Sequence, residues 1–113
     1  MDCIFCKIIA GEIPSDILYQ DEEVIAFRDI HPIASTHLLI IPKRHIPSLT
    51  HLSVQDFPLV GHMVGIANQL ARSEGISESG YRLVINSGEQ AGQIVPHLHL
   101  HLIGGRRLSD ELG

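Results

Sequence analysis

At 113 residues, with 44% hydrophobic and 19% charged residues, the chain has the size of one domain and is too apolar for a disordered or fibrous protein. Eight Lys and Arg against thirteen Asp and Glu give a formal net charge of -5, which excludes the broad basic face that non-specific binding to nucleic acid or anionic membranes requires. Cys3 and Cys6 are too few for a disulfide framework and too close to bridge without strain, so a reducing, cytoplasmic setting is expected.

Asp2 and Lys7 interrupt what would have to be the apolar run of a signal peptide. No stretch approaches the roughly 20 apolar residues of a membrane span, and no membrane or nucleic-acid partner is expected. Ile4, Phe5, Ile8 and Ile9 recur at helical spacing and stop at Gly11, predicting a short N-terminal helix. Ile17-Leu18-Tyr19 and Val24-Ile25-Ala26-Phe27 flank a polar tetrapeptide and read as a β-hairpin, and Thr36-His37-Leu38-Leu39-Ile40-Ile41 reads as a buried strand closed by Pro42.

Ser53-Val54-Gln55-Asp56 has the form of a helix-start box. Pro58 conflicts with a helix beginning there, because within a second turn it removes a backbone hydrogen bond, so the first turn is expected to be distorted or separate. Val60, Val64, Ala67 and Ala71 trace one helical face, and Gly75 is the stop. A second apolar line, Leu59, Met63, Ile66 and Leu70, makes this helix greasier than one lying on a single sheet needs. The excess points to a partner subunit, although deep packing in a monomer would use the same residues.

Residues 81–86 and 98–103 read as two further strands around a loop that contains Gly88 and Gly92. The total is about five strands, one long helix and a short N-terminal helix in a single domain over residues 1–113, with a core over about 4–106. Short connections favour an antiparallel α+β fold; a parallel βαβ fold would need more crossover helices.

His97-Leu98-His99-Leu100-His101-Leu102 is the strongest signal. On a strand, alternation sends three leucines to one face and three imidazoles to the other. One zinc cannot take all three rings: alternate residues lie about 6.6 Å apart and the outer pair about 13 Å, against metal–nitrogen bonds of about 2 Å. A row of imidazoles suits phosphorus chemistry, with a neutral ring attacking phosphorus and its neighbours stabilising phosphoryl charge. His99 is the natural nucleophile if Nδ1–H is donated to a backbone carbonyl, with His97 and His101 on either side of the phosphate. Glycines at 88 and 92 would let backbone N–H groups approach an anion.

These residues resemble the histidine triad (HIT) family, whose signature is His-x-His-x-His followed by apolar residues. Phe27-Arg28-Asp29-Ile30, the strand from Thr36 to Lys43, Tyr81-Arg82-Leu83-Val84-Ile85-Asn86 and Gly104-Gly105-Arg106 look like its purine nucleoside phosphoramidase branch. The resemblance, from about Ile4 to Arg106, implies a homodimer formed through the long helix and the sheet edge. It implies binding of purine nucleoside monophosphates and hydrolysis of phosphoramidate P–N bonds through a nucleotidyl-histidine, with no cofactor in the catalysis. His99 would be the nucleophile, supported by His37, His97 and His101. Asp29 would accept from the ribose hydroxyls, Phe5, Ile8, Phe27 and Ile30 would line the base pocket, and Asn86, Gln93 and Val95 would lie on the phosphate side.

The chain departs from that pattern at two places: Ile94 stands where many relatives have a polar residue, often serine, near the leaving group, and Pro96 replaces an aromatic. By spacing, Cys3 and Cys6 are half of a zinc site. The resemblance implies that His45 and His97 would complete a structural zinc, taking His97 out of the catalytic cluster; two small residues on a short helix with no metal is the other reading. His31, His51 and His62 read as surface or partly buried histidines. A nucleotide-binding module with little turnover, a dinucleoside polyphosphate hydrolase and a zinc-binding scaffold stand as alternative functions.

Overall fold

The computed structural model describes residues 3–112. In chain order, the elements are α1 (Ile4–Ile9), β1 (Ile17–Gln20), β2 (Val24–Arg28), β3 (Thr36–Pro42), α2 (Phe57–Ser73), β4 (Tyr81–Val84) and β5 (Leu100–Gly104). The strands form one antiparallel sheet in the order β1-β2-β3-β5-β4. This is the α+β arrangement expected from the sequence, with the long helix and the short N-terminal one.

Alternation along the strands divides the interior into two layers. Val24, Ala26, Leu38, Ile40, Leu100 and Leu102 face α2, meeting Met63, Ile66, Ala67, Leu70 and Ala71. Ile25, Phe27, Leu39 and Ile41 face the other way and pack with Cys3, Phe5 and Ile8 of α1. Each large aliphatic side chain so buried contributes about 1.5–3 kcal/mol. α1 is short and covers part of its face, so the rest of that face is open for a site.

The conflict at Pro58 is resolved by splitting the start of the helix. Val54–Asp56 forms a separate 3₁₀ turn, closed by a reciprocal box between Ser53 and Asp56. α2 then begins at Phe57, so Pro58 falls in its first turn, where a missing N–H costs nothing. Gly75, at φ +75°, ends the helix. Of the apolar positions read on α2, Val64 remains exposed, as does Phe57 at the helix start. Gly105 (φ +97°) has a structural reason to be glycine, since a Cβ there would fall 1.9 Å from Ser35 Oγ.

Two strand ends differ from the sequence reading: β4 stops at Val84, and β5 begins at Leu100 instead of residue 98. The second difference has a specific cause. β3 pairs with β5 through Ile40 and Leu100, so two further steps would set Leu98 against Pro42, which has no N–H to donate. Leu98 instead donates to Ile46 O at 2.6 Å, and His97 N–H turns back to Val95 O at 2.8 Å. Leu98 is nevertheless fully buried, as the alternation expects. No helix among the described residues is long and apolar enough to cross a membrane.

Candidate active site

The open part of the α1 face holds a cavity of about 510 Å³, lined among others by Phe5, Ile8, Phe27, Asp29, His99 and His101. Ile30, Asn86 and Val95 also line it, so the positions expected around a base and a phosphate converge on one hollow. The sequence reading did not single out Ile4, Ile13, Pro14, Ser15 and Leu39, which belong to the same walls; Leu39 was legible only as a core strand residue. A larger hollow, about 650 Å³, lies beside Arg82, Arg106 and Arg107 and contains no histidine.

His99 stands just before β5 with its ring 8% exposed. Its Nδ1 lies 2.7 Å from His97 O. A carbonyl can only accept, so Nδ1 carries the proton and the lone pair remains on Nε2. The ring packs edge-on against Phe5 at 5.2 Å and against His101 at 5.0 Å, which restricts its rotation.

His101 is on β5 and His37 on β3, with His37 Nε2 3.0 Å from His101 Nδ1. His37 Nδ1 accepts from Ile33 N–H at 3.2 Å, so a neutral His37 holds its proton on Nε2 and donates it to His101. His101 then carries its own proton on Nε2, making it a donor next to the acceptor His99. Burial depresses both His37 and His101, the latter to about 4 with help from the neighbouring His99 and His37; Asp29 opposes the shift in each case. Asp29 Oδ2 is 3.4 Å from His37 Nε2, and its Oδ1 accepts from His31 N–H at 2.8 Å.

His97 corrects the expectation of three rings on one face. Lying outside the strand, it sends its ring away from the other two, behind Phe5, whose ring edges onto both His97 and His99. It therefore does not flank a phosphate beside His99. Its Nε2 donates to Pro42 O at 2.8 Å, which leaves Nδ1 as an acceptor 3.3 Å from Cys3 Sγ and 3.7 Å from Cys6 Sγ. Cys6 Sγ is also 3.3 Å from His45 Nδ1. Cys3 is the N-cap of α1 and accepts from Cys6 N–H, so the helix start fixes both thiols on one side.

Cys3, Cys6, His45 and His97 each place one ligand atom within 4.8 Å of all the others. A tetrahedral zinc with Zn–S near 2.3 Å and Zn–N near 2.0–2.1 Å separates its ligands by about 3.3–3.8 Å. The three measured contacts, 3.3, 3.3 and 3.7 Å, match that spacing. The Pro42 carbonyl behind His97 supplies the outer hydrogen bond that orients a ligating imidazole. The donor set therefore fits a closed structural zinc site. Both cysteines are free thiols.

Gln93 does not line the cavity. Its amide donates to Pro47 O and Val95 O and its carbonyl accepts from Gly88 N–H, so it braces the loop. Asn86 also braces it, donating to Ala91 O, but it remains on the cavity wall. Ile94 stands at the rim, 91% exposed. Among the histidines read as surface or partly buried, His62 lies 2.7 Å from Asp21 Oδ2, and His51 Nδ1 lies 2.9 Å from Ser48 Oγ.

Residues 10–108 match the HIT domain. The chain is 50% identical over 111 residues to the purine nucleoside phosphoramidase of Escherichia coli strain K12, covering 98% of this chain and 93% of that protein. Its fold superposes with a TM-score of 0.96 on a HIT family hydrolase from Legionella pneumophila Philadelphia 1, at 48% identity, covering 99% of this chain and all of that one. A histidine triad protein from Clostridium difficile gives a TM-score of 0.95 at 41% identity, over 99% of this chain and 97% of that one. With His99 and His101 side by side on an open cavity and a match spanning nearly the whole sequence, this chain belongs to the HIT family.

Proposed function

We propose that the protein is a nucleotide-binding hydrolase that cleaves the P–N bond of purine nucleoside 5′-phosphoramidates through a nucleotidyl intermediate on His99. The observation that carries this reading is the hydrogen bond from His99 Nδ1 to His97 O, which leaves Nε2 as the nucleophile. As Nε2 bonds to phosphorus, the P–N bond to the amine breaks and the departing nitrogen takes up a proton from solvent, which the attacking water returns in the second step. The ring becomes cationic, and its Nδ1–H bond to the carbonyl strengthens, so that contact favours the transition state over the ground state. His101 Nε2–H is available to a phosphoryl oxygen. Water then attacks phosphorus, the Nε2–P bond breaks, and the nucleoside monophosphate leaves with His99 restored.

The apolar walls, Ile8, Phe27 and Ile30, suit a purine face, and Asp29 suits ribose hydroxyls. Asp29 also lies 3.4 Å from His37 Nε2, the atom that faces His101, so the carboxylate that suits the ribose also steadies the histidine pair. A structural zinc would be held by Cys3, Cys6, His45 and His97, tying the start of α1 to the segment before β5, and catalysis requires no cofactor. The need for reduced thiols at that site supports a cytoplasmic location. We also read the protein as a homodimer. Phe57 and Val64 are exposed on α2 beside Gly61 and Gly65, which have open space around them, and β4 is a free sheet edge.

The test is a single turnover with an adenosine 5′-phosphoramidate, quenched in alkali. A mass increase of one nucleotidyl group on the wild type and none on His99→Ala is expected; no adduct under either condition would refute the covalent route. The exposed Ile94 at the rim favours one second reading, a nucleotide-binding module with little turnover. Comparing P–N with P–O–P substrates separates the phosphoramidase from a dinucleoside polyphosphate hydrolase.

A further inference from the structure

We propose that Glu74 is a positioning residue for the nucleotide site, clamping both stems of the loop formed by residues 29–35. The inference rests on reading the α1-face cavity as the nucleotide pocket. Glu74 caps the C-terminal end of α2, on the side of the sheet opposite that cavity. Its two carboxylate oxygens each accept from one guanidinium nitrogen of Arg28, both at 2.9 Å, and Oε1 also accepts from Thr36 Oγ1 at 3.2 Å. Arg28 is the last residue of β2 and Thr36 the first of β3. One carboxylate thus holds the residue before the loop and the residue after it.

The loop is short of other support. Ile30 is 79% exposed and Ile33 56% exposed, so the segment buries little apolar surface of its own. Its middle is held by Arg106 Nε donating to Ile33 O and by Ile33 N–H donating to His37. Yet Asp29, Ile30 and His31 all line the cavity. Alternation converts a clamp beneath the sheet into geometry above it: Arg28 turns toward α2, so its neighbour Asp29 turns toward the cavity, whose wall it forms.

The clamp has the chemistry for precise positioning. A two-pronged guanidinium–carboxylate pair fixes orientation as well as distance. The Glu74 side chain is 16% exposed, which limits screening. Arg28 is further steered by Asp16, whose carboxylate lies 3.3 Å from Nε and whose carbonyl accepts from Arg28 N–H. The pairing with Arg28 holds the Glu74 carboxyl below its usual range despite burial.

Glu74→Gln keeps the side-chain length and the Thr36 contact but removes the charge that binds Arg28. Calorimetric binding of adenosine monophosphate should weaken by about fivefold, with kcat on a phosphoramidate unchanged to within about twofold. In an Asp29→Asn background the same substitution should change binding by less than about twofold, because the group it positions is already disabled. Thr36→Val, which releases one stem, should weaken binding in the same direction by a smaller factor and serves if Glu74→Gln does not fold. Unchanged binding in Glu74→Gln, or an equal loss with and without Asp29, would overturn the inference alone. A wild type that fails to bind adenosine monophosphate at millimolar concentration would overturn the nucleotide reading together with it.

Discussion

His97 fixes the proton of His99 through its backbone and faces a cysteine pair with its ring: His99 Nδ1 is 2.7 Å from His97 O, while His97 Nδ1 is 3.3 Å from Cys3 Sγ. The two roles fall on different atoms, so they separate by mutation. His97→Ala keeps the carbonyl but removes a buried ring of the cysteine cluster and its hydrogen bond to Pro42. The expected result is loss of bound zinc and of about 3 kcal/mol or more in unfolding free energy, with nucleotidyl adduct still trapped on His99 at low temperature. Adduct formation abolished in a variant that retains native stability would place the His97 ring in the chemistry.

Zinc at the cysteine cluster should be measurable directly. Elemental analysis of protein purified without chelator should give one zinc per chain, and Cys3→Ser should lose it. The melting temperature of the wild type should fall on treatment with a strong chelator, because binding energy at a closed site of this kind is folding energy. A melting temperature indifferent to chelator, with no metal in the purified protein, would leave Cys3 and Cys6 as packing residues of α1.

The His37–His101 pair predicts a division between rate and affinity. Neutral His101 presents Nε2–H toward the cavity because His37 fills its other nitrogen. His101→Ala removes that donor and should lower kcat by roughly 10²–10⁴-fold, with adenosine monophosphate affinity altered only a few-fold. A loss confined to KM would assign His101 to ground-state binding.

The same pair fixes the sign of a pH dependence. His101 is depressed to about 4, and His37 is depressed as well, against about 6.5 for histidine in an unfolded chain. As pH falls below 6.5 the unfolded chain takes up protons that the folded one refuses, so it binds more protons and stability declines toward pH 4. Asp29 opposes the shift in both rings, and His99 and His37 reinforce it at His101. The depressed carboxyls of Glu74 and Asp56 lose their contribution only below about 4.5. Urea midpoints between pH 7.5 and 5 should therefore fall with acidification, and fall less steeply in His101→Gln. A flat profile over that interval would contradict neutral burial of the pair.

The leucines of the triad strand were legible because alternation needs no partner: Leu98, Leu100 and Leu102 are buried as written. The imidazoles were legible only in part. His99 and His101 turn toward the cavity, but the fate of His97 depends on Pro42, 55 residues away, whose missing N–H ends the ladder and whose carbonyl takes the ring. Pro58 showed that the helix could not run on from Ser53 without disturbance. Glu74 carried no such mark, since a glutamate at the end of a surface helix ordinarily meets water; its partners come from strands far earlier in the chain. Local periodicity fixes which way a side chain points only as far as the ladder runs, and hydrogen bonds between distant segments decide where it ends and what each side chain meets.

Ile94 offers the prediction most particular to this chain. It sits at the cavity rim, 91% exposed, after the turn Glu89–Ala91, so its side chain supports no packing and can be exchanged at small cost in stability. A polar side chain at this rim could hydrogen-bond the departing group; an isoleucine cannot. Ile94→Ser should raise kcat by about tenfold, at the low end of what positioned proton or hydrogen-bond help provides, and leave adenosine monophosphate affinity within about twofold, because the added hydroxyl meets the leaving side and not the nucleotide. The gain should be largest for substrates with poor amine leaving groups, whose departure most needs a donor. An unchanged or lower kcat across a series of amines would show that this rim position does not act on the leaving group.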